Sequence, residues 1–291
     1  MSSILGDQEP PKYYLDGRRI SLQRIKRRGA TAMPRPHSHE AVELYYLLDG
    51  ERVYFVDGKV ITLRKGELIA IAENVIHSTA SSEIAEFERV LIHCDLSALP
   101  ESLRGIRLFE AGEPFRVFAL NLREREEAER LLRRMLEECA LAKPYYEPCC
   151  VSLLAELAIL LGRSERAAVA SSPRDSLHAK VSEIAEYLQL HYRESLTLAD
   201  TAKHFYLSSS YLSRVFHRLT GFHFREYILH LRIREAQRLL AHSRKRISDV
   251  SLDVGFEHLS HFNKAFKQAC GLTPMQYRRK AKSEPSGQTD I

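Results

Sequence analysis

Four side chains in the first third of the chain are of types that hold metal ions or charged small molecules. His37 and His39 are two apart, Glu43 follows four residues later, and His77 stands further along. On an extended strand alternate residues share a face, so a strand through this stretch turns both imidazoles and the Glu43 carboxylate the same way. With His77 folded back onto them they form a three-nitrogen, one-oxygen set suited to a divalent ion. Tyr45 keeps the same parity and adds a phenol. Without a metal, His37, His39, Glu43, Tyr45 and His77 read as the lining of a small-molecule pocket, and a single histidine is more often a satisfied rim or core residue than a ligand.

A second group lies towards the other end. LADTAKHFYLSSSYLSRVFHRLTG is echoed about fifty residues later by ISDVSLDVGFEHLSHFNKAFKQACG. Leu198, Asp200 and Phe205 fall opposite Ile247, Asp249 and Val254. After one extra residue Leu212, Phe216, Gly221 and Tyr227 fall opposite Phe262, Phe266, Gly271 and Tyr277. Each copy reads as a short helix, a tight turn, a second helix with an apolar pair four apart, and a glycine stop. That is the layout of a helix-turn-helix. In the first copy Ser208 suits the N-cap, and Leu212, Val215, Phe216 and Leu219 share a buried face. The opposite face carries Ser209, Ser210, Ser213, Arg214 and His217. In the second copy Leu259, Phe262 and Phe266 are available for burial, against Ser260, His261, Asn263, Lys264 and Lys267. Hydroxyls, an amide and cations on an exposed helix match base edges and phosphates in a major groove.

The elements that position these groups follow from periodicity. Between residues 40 and 120, AVELYYLLDG, ERVYFVDG, KVITLRKG and ELIAIAENVIH are short apolar, β-branched or aromatic runs broken by Asp-Gly and Lys-Gly. Such runs are strands of a small barrel or sandwich. From Asn121 to Lys143 the spacing of Leu131, Leu132, Met135, Leu136 and Cys139 is helical. Pro144 and Pro148 interrupt the pattern, and a second helix follows. Val151, Leu153, Leu154, Leu157, Ile159, Leu160 and Leu161 make that helix apolar on most sides, so it needs cover from the barrel, a second subunit, or both. Residues 164–176, small and polar around Pro173, read as a linker.

Composition narrows the class. A hydrophobic fraction of 44% and a charged fraction of 28% belong to a globular chain long enough for two cores. No apolar run reaches the roughly 18 to 20 residues that span a bilayer, and the first residues lack the pattern of a secretory signal. The expected location is the cytoplasm. Five scattered cysteines without a CxxC pair indicate neither a disulfide framework nor a zinc ribbon, and Cys149 and Cys150 read as small apolar residues of a helix. The charge is uneven. Residues 177–282 carry 18 Lys plus Arg against 9 Asp plus Glu, while the whole chain is only +5. A basic C-terminal third on a slightly acidic body suits a polyanion partner.

Residues about 180 to 280 resemble the DNA-binding domain of the AraC/XylS family of bacterial transcription regulators. The resemblance rests on SRVFHRLTG, RIREAQRLL and DVGFEHLSHFNKAFKQACGLTPMQYRR. It implies a long helix, here about 223 to 241, joining two units whose recognition helices enter successive major grooves, about 10 base pairs apart. By position, Ser210, Ser213 and Arg214 in the first recognition helix, and Leu259, Ser260, Asn263 and Lys264 in the second, resemble base contacts. Ser251 departs from the usual Ala, and His217 from a common Lys. The stretches around His37, His39, Glu43 and Gly50, and around Gly66 and His77, resemble the paired motifs of the cupin barrel, with Ala72 or Glu73 where that family has Pro. Metal cupins bind a divalent ion at those four positions. AraC-type sensors keep part of the pattern around a ligand.

The fold class expected is α+β in two domains. Residues 1–163 form a cupin-like effector-sensing barrel whose helices at about 121–163 pair two subunits. Residues 164–176 are a linker. Residues 177–282 are an all-α DNA-binding domain with helix-turn-helix units at about 196–221 and 247–271, and 283–291 a disordered tail. The function expected is sequence-specific transcription regulation, controlled by a small-molecule effector in the barrel, with no enzymatic activity and no required cofactor. Double-stranded DNA, the effector, a second copy of the chain and RNA polymerase are the expected partners, without a membrane. The rival reading is a metal-dependent cupin enzyme, an oxygenase or isomerase, fused to a DNA-binding domain, with His37, His39, Glu43 and His77 as ligands. A third is a DNA binder without sequence preference.

Overall fold

A computed structural model describes residues 10–28, 35–80, 86–103, 106–164 and 176–283. It divides into two compact units, the change falling between Ala179 and Lys180. The expected linker, apart from Ser164 and Ser176, and the expected tail beyond Ser283 lie outside the described residues.

The first unit holds two antiparallel sheets. The larger contains β1 (Lys12–Leu15), β2 (Ile20–Arg28), β3 (Val42–Asp49), β6 (Glu67–Ile71), β8 (Glu86–Cys94) and β9 (Phe115–Ala119), in the order β1-β2-β8-β3-β6-β9. The smaller contains β4 (Glu51–Val56), β5 (Lys59–Arg64) and β7 (His77–Ala80), in the order β5-β4-β7. Two helices, α1 (Leu122–Leu141) and α2 (Tyr146–Arg163), cover the larger sheet.

Strand β3 explains the arrangement. Its residues are buried on both faces, which is why VELYYLL reads as a continuous apolar run without alternation. Val42, Leu44 and Tyr46 join Leu68, Ala70, Val90 and Ile92 beneath Leu131, Met135, Leu153 and Leu157 of the two helices. Tyr45 and Leu47 point the other way, into a separate core with Tyr54, Ile61, Leu63, Ile69, Phe87, Leu91 and Phe115. The interior between the sheets is therefore lined by Glu43, Tyr45 and Leu47 of β3 and by every residue of matching parity on its neighbours.

The turns follow residue type. Asp57 and Gly58 link β4 to β5 with φ of 46° and 83°, the positive pair that a tight hairpin requires. Gly50 has φ of 85°, and a Cβ there would run into the Glu86 carbonyl.

Asn121 caps α1, accepting from Glu124 N while Glu124 accepts from Asn121 N. Pro148 does not stand between the two helices as expected, because α2 begins before it at Tyr146. It sits in the first turn, where a backbone N–H has no partner within the helix. Ser164 is the C-cap of α2, its hydroxyl donating to Leu161 O. No helix among the described residues is long and apolar enough to cross a membrane.

The second unit is helical: α3 (Ser176–His191), α4 (Leu198–His204), α5 (Ser209–Thr220), α6 (Phe224–His242), α7 (Ile247–Asp253), α8 (Leu259–Cys270) and α9 (Pro274–Ser283). Helix α6 serves two cores. At about 100° per residue, Phe224, Tyr227, Ile228 and Leu231 lie on one side, and Ile233, Ala236 and Leu240 lie nearly opposite. The second set packs with Val250, Val254, Phe256, Phe262 and Phe266. Phe222, Phe224 and Tyr227 gather around Phe216 and one another in the first core.

Candidate functional site

Three elements bring the histidines together. His37 is not in a regular strand, as spacing alone suggested, but forms an isolated bridge with His77, each N–H donating to the other's carbonyl at 3.0 Å. Asn74 N donates to His39 O at 2.8 Å, so the turn preceding β7 fixes the second histidine. Ala72 N donates to Pro114 O, a bond that a proline at this position would forfeit.

Glu43 is the hub, 1% exposed. Its Oε2 lies 3.2 Å from His39 Nε2, 3.4 Å from His77 Nε2 and 3.1 Å from His93 Nε2, while Tyr54 donates to Oε1 at 3.2 Å. His93 was missed from sequence. It arrives through the register of β3 and β8, which sets Glu43 opposite His93. His37, exposed at the rim, keeps ring contact with His77 at 4.5 Å but has no bond to Glu43.

Burial alone would raise the Glu43 pKa, yet the imidazoles hold its carboxyl well below the usual carboxylate range. Burial works to lower the His77 pKa, and Glu43 outweighs it, raising it. At His37 burial and the neighbouring His77 lower it. Tyr45 is buried in the same interior, and burial pushes its hydroxyl up to about 12.

The outer nitrogens fix the ring orientations. His39 Nδ1 is 2.7 Å from Ala41 O and His77 Nδ1 is 2.9 Å from Val75 O. Carbonyls only accept, so both Nδ1 atoms carry the proton. A neutral His39 or His77 then directs a bare Nε2 lone pair at the Glu43 carboxylate, and such a pairing requires a cation between or upon them: a proton on the ring, or a metal ion. The donor set fits a metal. Bonds of about 2.0–2.1 Å in a tetrahedron put ligand atoms roughly 3.3 Å apart, close to the three separations around Oε2. Carbonyl acceptors on the outer nitrogens are the usual support for ligating histidines.

The other candidate residues lie on α5 and α8. Ser208 Oγ accepts from Tyr211 N at 3.3 Å, capping α5. Leu212, Val215, Phe216 and Leu219 are buried. Ser210, Arg214 and His217 are exposed and Ser209 and Ser213 half-exposed. On α8, Phe262 and Phe266 are buried with Ala265, whereas Ser260, Asn263, Lys264 and Lys267 are exposed.

Leu259 is 43% exposed, which corrects the expectation of burial. It is the first residue of α8, and by helix periodicity it lies between Asn263 and the buried Phe262 and Phe266. The ten selected positions are five pairs separated by fifty: 209 with 259, 210 with 260, 213 with 263, 214 with 264, and 217 with 267. The His217 ring stacks on His223 at 4.1 Å. Sequence reasoning passed over Tyr211, 41% exposed, and Arg218, exposed beside it, both on the outward side of α5.

Serine replaces the usual alanine at 251 without disturbance. Ser251 is buried, and its carbonyl accepts from Phe256 N, just as the Ala202 carbonyl accepts from Leu207 N in the first copy.

Comparison with known proteins bears on both units. A family model described as an AraC-like ligand binding domain matches residues 21–158, and one described as a helix-turn-helix domain matches residues 201–280. The chain is similar to the melibiose operon regulatory protein of Escherichia coli (strain K12), 25% identical over 270 residues, covering 88% of this chain and 87% of that one. It is similar to the HTH-type transcriptional activator RhaR of the same strain, 26% identical over 252 residues, covering 83% and 86%. Among solved structures, the C-terminal domain of AraT, a response regulator from Geobacillus stearothermophilus, is 32% identical over 36% of this chain and 88% of that one, with a TM-score of 0.35. A ligand-binding barrel followed by paired helix-turn-helix units defines an effector-controlled, DNA-binding transcription regulator. The chain belongs to the AraC family.

Proposed function

We propose that α5 and α8 are the two reading heads. Ser209, Ser210, Ser213, Arg214 and His217 of α5, with Leu259, Ser260, Asn263, Lys264 and Lys267 of α8, meet bases and phosphates in neighbouring turns of the major groove. The observation that carries this is the five-pair correspondence of solvent-facing residues on two helices of equal length and matching buried faces. The interior around Tyr45, Glu43 and the histidines receives the small-molecule effector. The regulator acts in the cytoplasm without catalysing a reaction. Two copies pair through α1 and α2, and RNA polymerase is its partner at the promoter. Titrating the full chain into DNA from beside its own gene tests the reading. Affinity should fall steeply with salt, by about 0.9 in log–log slope per phosphate neutralised, and random DNA should bind far more weakly. Equal affinity for both would refute sequence-specific reading.

A second reading concerns the histidines. A divalent ion at His39, Glu43, His77 and His93 would fix the mouth of the barrel, with His37 beside it. The inward Nε2 atoms of His39 and His77 favour this, because their protons are engaged outward. A bound ion would supply positive charge and a coordination position to the interior, while the four side chains orient it. Elemental analysis of purified, chelator-free protein tests it; absence of any divalent metal, with no uptake on titration, would set the reading aside.

A further inference from the structure

The interior between the sheets also holds two guanidinium groups. Arg52 of β4 shares parity with Tyr54 and Val56, and Arg89 of β8 with Phe87, Leu91 and His93, so both lie on the strand faces that carry the core around Tyr45. Arg52 is 6% exposed, donates to Thr79 Oγ1 at 2.8 Å, and lies with its guanidinium carbon 4.3 Å from the Phe87 ring centre. Arg89 lies with its guanidinium carbon 5.1 Å from the Tyr45 ring centre.

Arg89 and Tyr45 each carry an unsatisfied polar atom. Arg89 Nη1 is buried without a hydrogen-bond partner, and Arg89 makes no ion pair among the described residues. The Tyr45 hydroxyl, on a side chain 3% exposed, also lacks a partner of good geometry. Glu43 does not serve them, since three imidazoles and Tyr54 occupy its oxygens. Burial acts against ionisation of Arg52, and Arg89 adds to it, while Tyr45 and Tyr54 work the other way. Buried polar groups are normally paired, and a buried charge is costly unless something opposes it. Here the protein supplies the donors and leaves Arg89 without its anion.

The geometry points to a small organic acid as the effector, its carboxylate held by Arg89 and the Tyr45 hydroxyl with Arg52 close by, and its apolar body against Phe87 and Leu91. The inference rests on the reading that the barrel receives the effector, and adds the charge of the molecule. A guanidinium fork offers two parallel donors to a carboxylate, which a neutral hydroxyl ligand cannot match. Phe87 and Leu91 flank Arg89 at alternate positions of β8 and belong to the same core as Tyr45, so they offer apolar surface beside the carboxylate, with the Arg52 guanidinium already lying over the Phe87 ring.

Thermal unfolding of the full chain tests this with matched probes: benzoate against benzamide, hexanoate against hexanamide, and glucuronate against glucose, with inorganic phosphate as a further arm. At least one acid should raise the Tm by several degrees while its neutral partner leaves it unmoved. Arg89→Met should abolish the rise, and Arg89→Lys, which keeps the charge but loses the fork, should weaken apparent affinity by roughly tenfold. If Arg89→Met does not fold, Arg89→Lys and Tyr45→Phe carry the comparison. A response to glucose alone, or to phosphate but no carboxylate, would overturn the inference while leaving the barrel a sensor. An acid response unchanged in the Arg89 and Tyr45 variants would also overturn it. Silence across all probes would count against the organic acid, and DNA binding of the same sample reports separately on the regulator reading.

Discussion

Glu43 and His93 face each other across the pairing of β3 and β8, and His93 Nε2 comes within 3.1 Å of Glu43 Oε2. This contact adds His93 to the expected ligands, in a group with His39 and Glu43 beside the group of His37, His39 and His77. His37, two residues before His39, fits a metal motif by spacing yet stands at the rim without a bond to Glu43. Zinc titration of chelator-treated protein should show one equivalent bound by the wild type. His39→Ala or His93→Ala should weaken binding by more than tenfold, the lower end of what outer-shell changes alone bring about. His37→Ala should weaken it less. A silent His93→Ala beside a damaging His37→Ala would restore the set that spacing suggested.

The contrast shows what kind of information local sequence carries. Helix-turn-helix geometry is built from contacts within some twenty-five residues, so Ser208 as cap, Phe216 and Phe266 as buried anchors, and Gly221 and Gly271 as stops were all legible. The strands of the barrel were legible as runs, because β3 is apolar on both faces. His93 was not, since nothing near it repeats a motif; only non-local register brings it to Glu43. Arg52 and Arg89 were hidden for the same reason. On a strand of unknown facing, an arginine reads as solvated. Leu259 carried two readings, burial by its chemistry and base contact by resemblance, and its exposure agrees with the second, because the first residue of a helix need not follow the buried stripe.

The fifty-residue correspondence makes a paired prediction for DNA. Arg214 and Lys264 occupy equivalent exposed positions, and half-exposed Ser213 corresponds to exposed Asn263. Arg214→Ala and Asn263→Ala should each weaken binding to a selected site by about 1–3 kcal/mol and relax preference at one base pair. Lys267→Ala, later in its helix, should weaken specific and random DNA alike and lower the salt slope by about one phosphate. Fluorescence anisotropy over a salt series reads both quantities. Unaltered base preference in Asn263→Ala would remove it from the base-reading face.

The two turns that precede the recognition helices differ in an instructive way. Phe205 and Val254 end α4 and α7 with nearly the same backbone angles, and the next residues, Tyr206 and Gly255, have φ of 58° and 90°. A Cβ on Gly255 would lie 2.5 Å from Arg193 O, whereas Tyr206 is 96% exposed. Gly255→Ala should therefore destabilise the helical unit by at least about 1–2 kcal/mol, the cost of a left-handed non-glycine residue, before any clash is added. Tyr206→Gly removes a side chain that touches little and relieves that same backbone cost. It should leave stability unchanged or raise it by up to about 1 kcal/mol, after the entropy of a new glycine is subtracted. Urea unfolding followed by circular dichroism compares them; equal destabilisation by both would mean that the turns are held by something other than backbone conformation.

His230 of α6 gives the helical unit a pH dependence of defined sign. Its Nε2 is buried without a hydrogen-bond partner, the Phe222 ring centre is 5.6 Å away, and burial, with Arg234 as the second cause, pulls its pKa down to about 4. In the unfolded chain the same imidazole titrates near 6.5. Above that value both states are neutral and His230 adds no pH dependence. As the pH falls below it, the unfolded chain takes up a proton that the folded chain refuses. Stability then drops by up to about 1.4 kcal/mol per pH unit, and by about 3 kcal/mol in total once the folded pKa is reached. Most of this window lies above the range in which carboxylates titrate, which separates it from ordinary acid unfolding. His230→Leu removes the titrating group and supplies an apolar side chain where no polar partner exists. The difference in urea midpoint between wild type and His230→Leu should be small at pH 7.5 relative to pH 5, and should widen in favour of the variant as the pH is lowered. Parallel pH profiles for the two proteins would show that His230 takes up its proton without unfolding the helix around it.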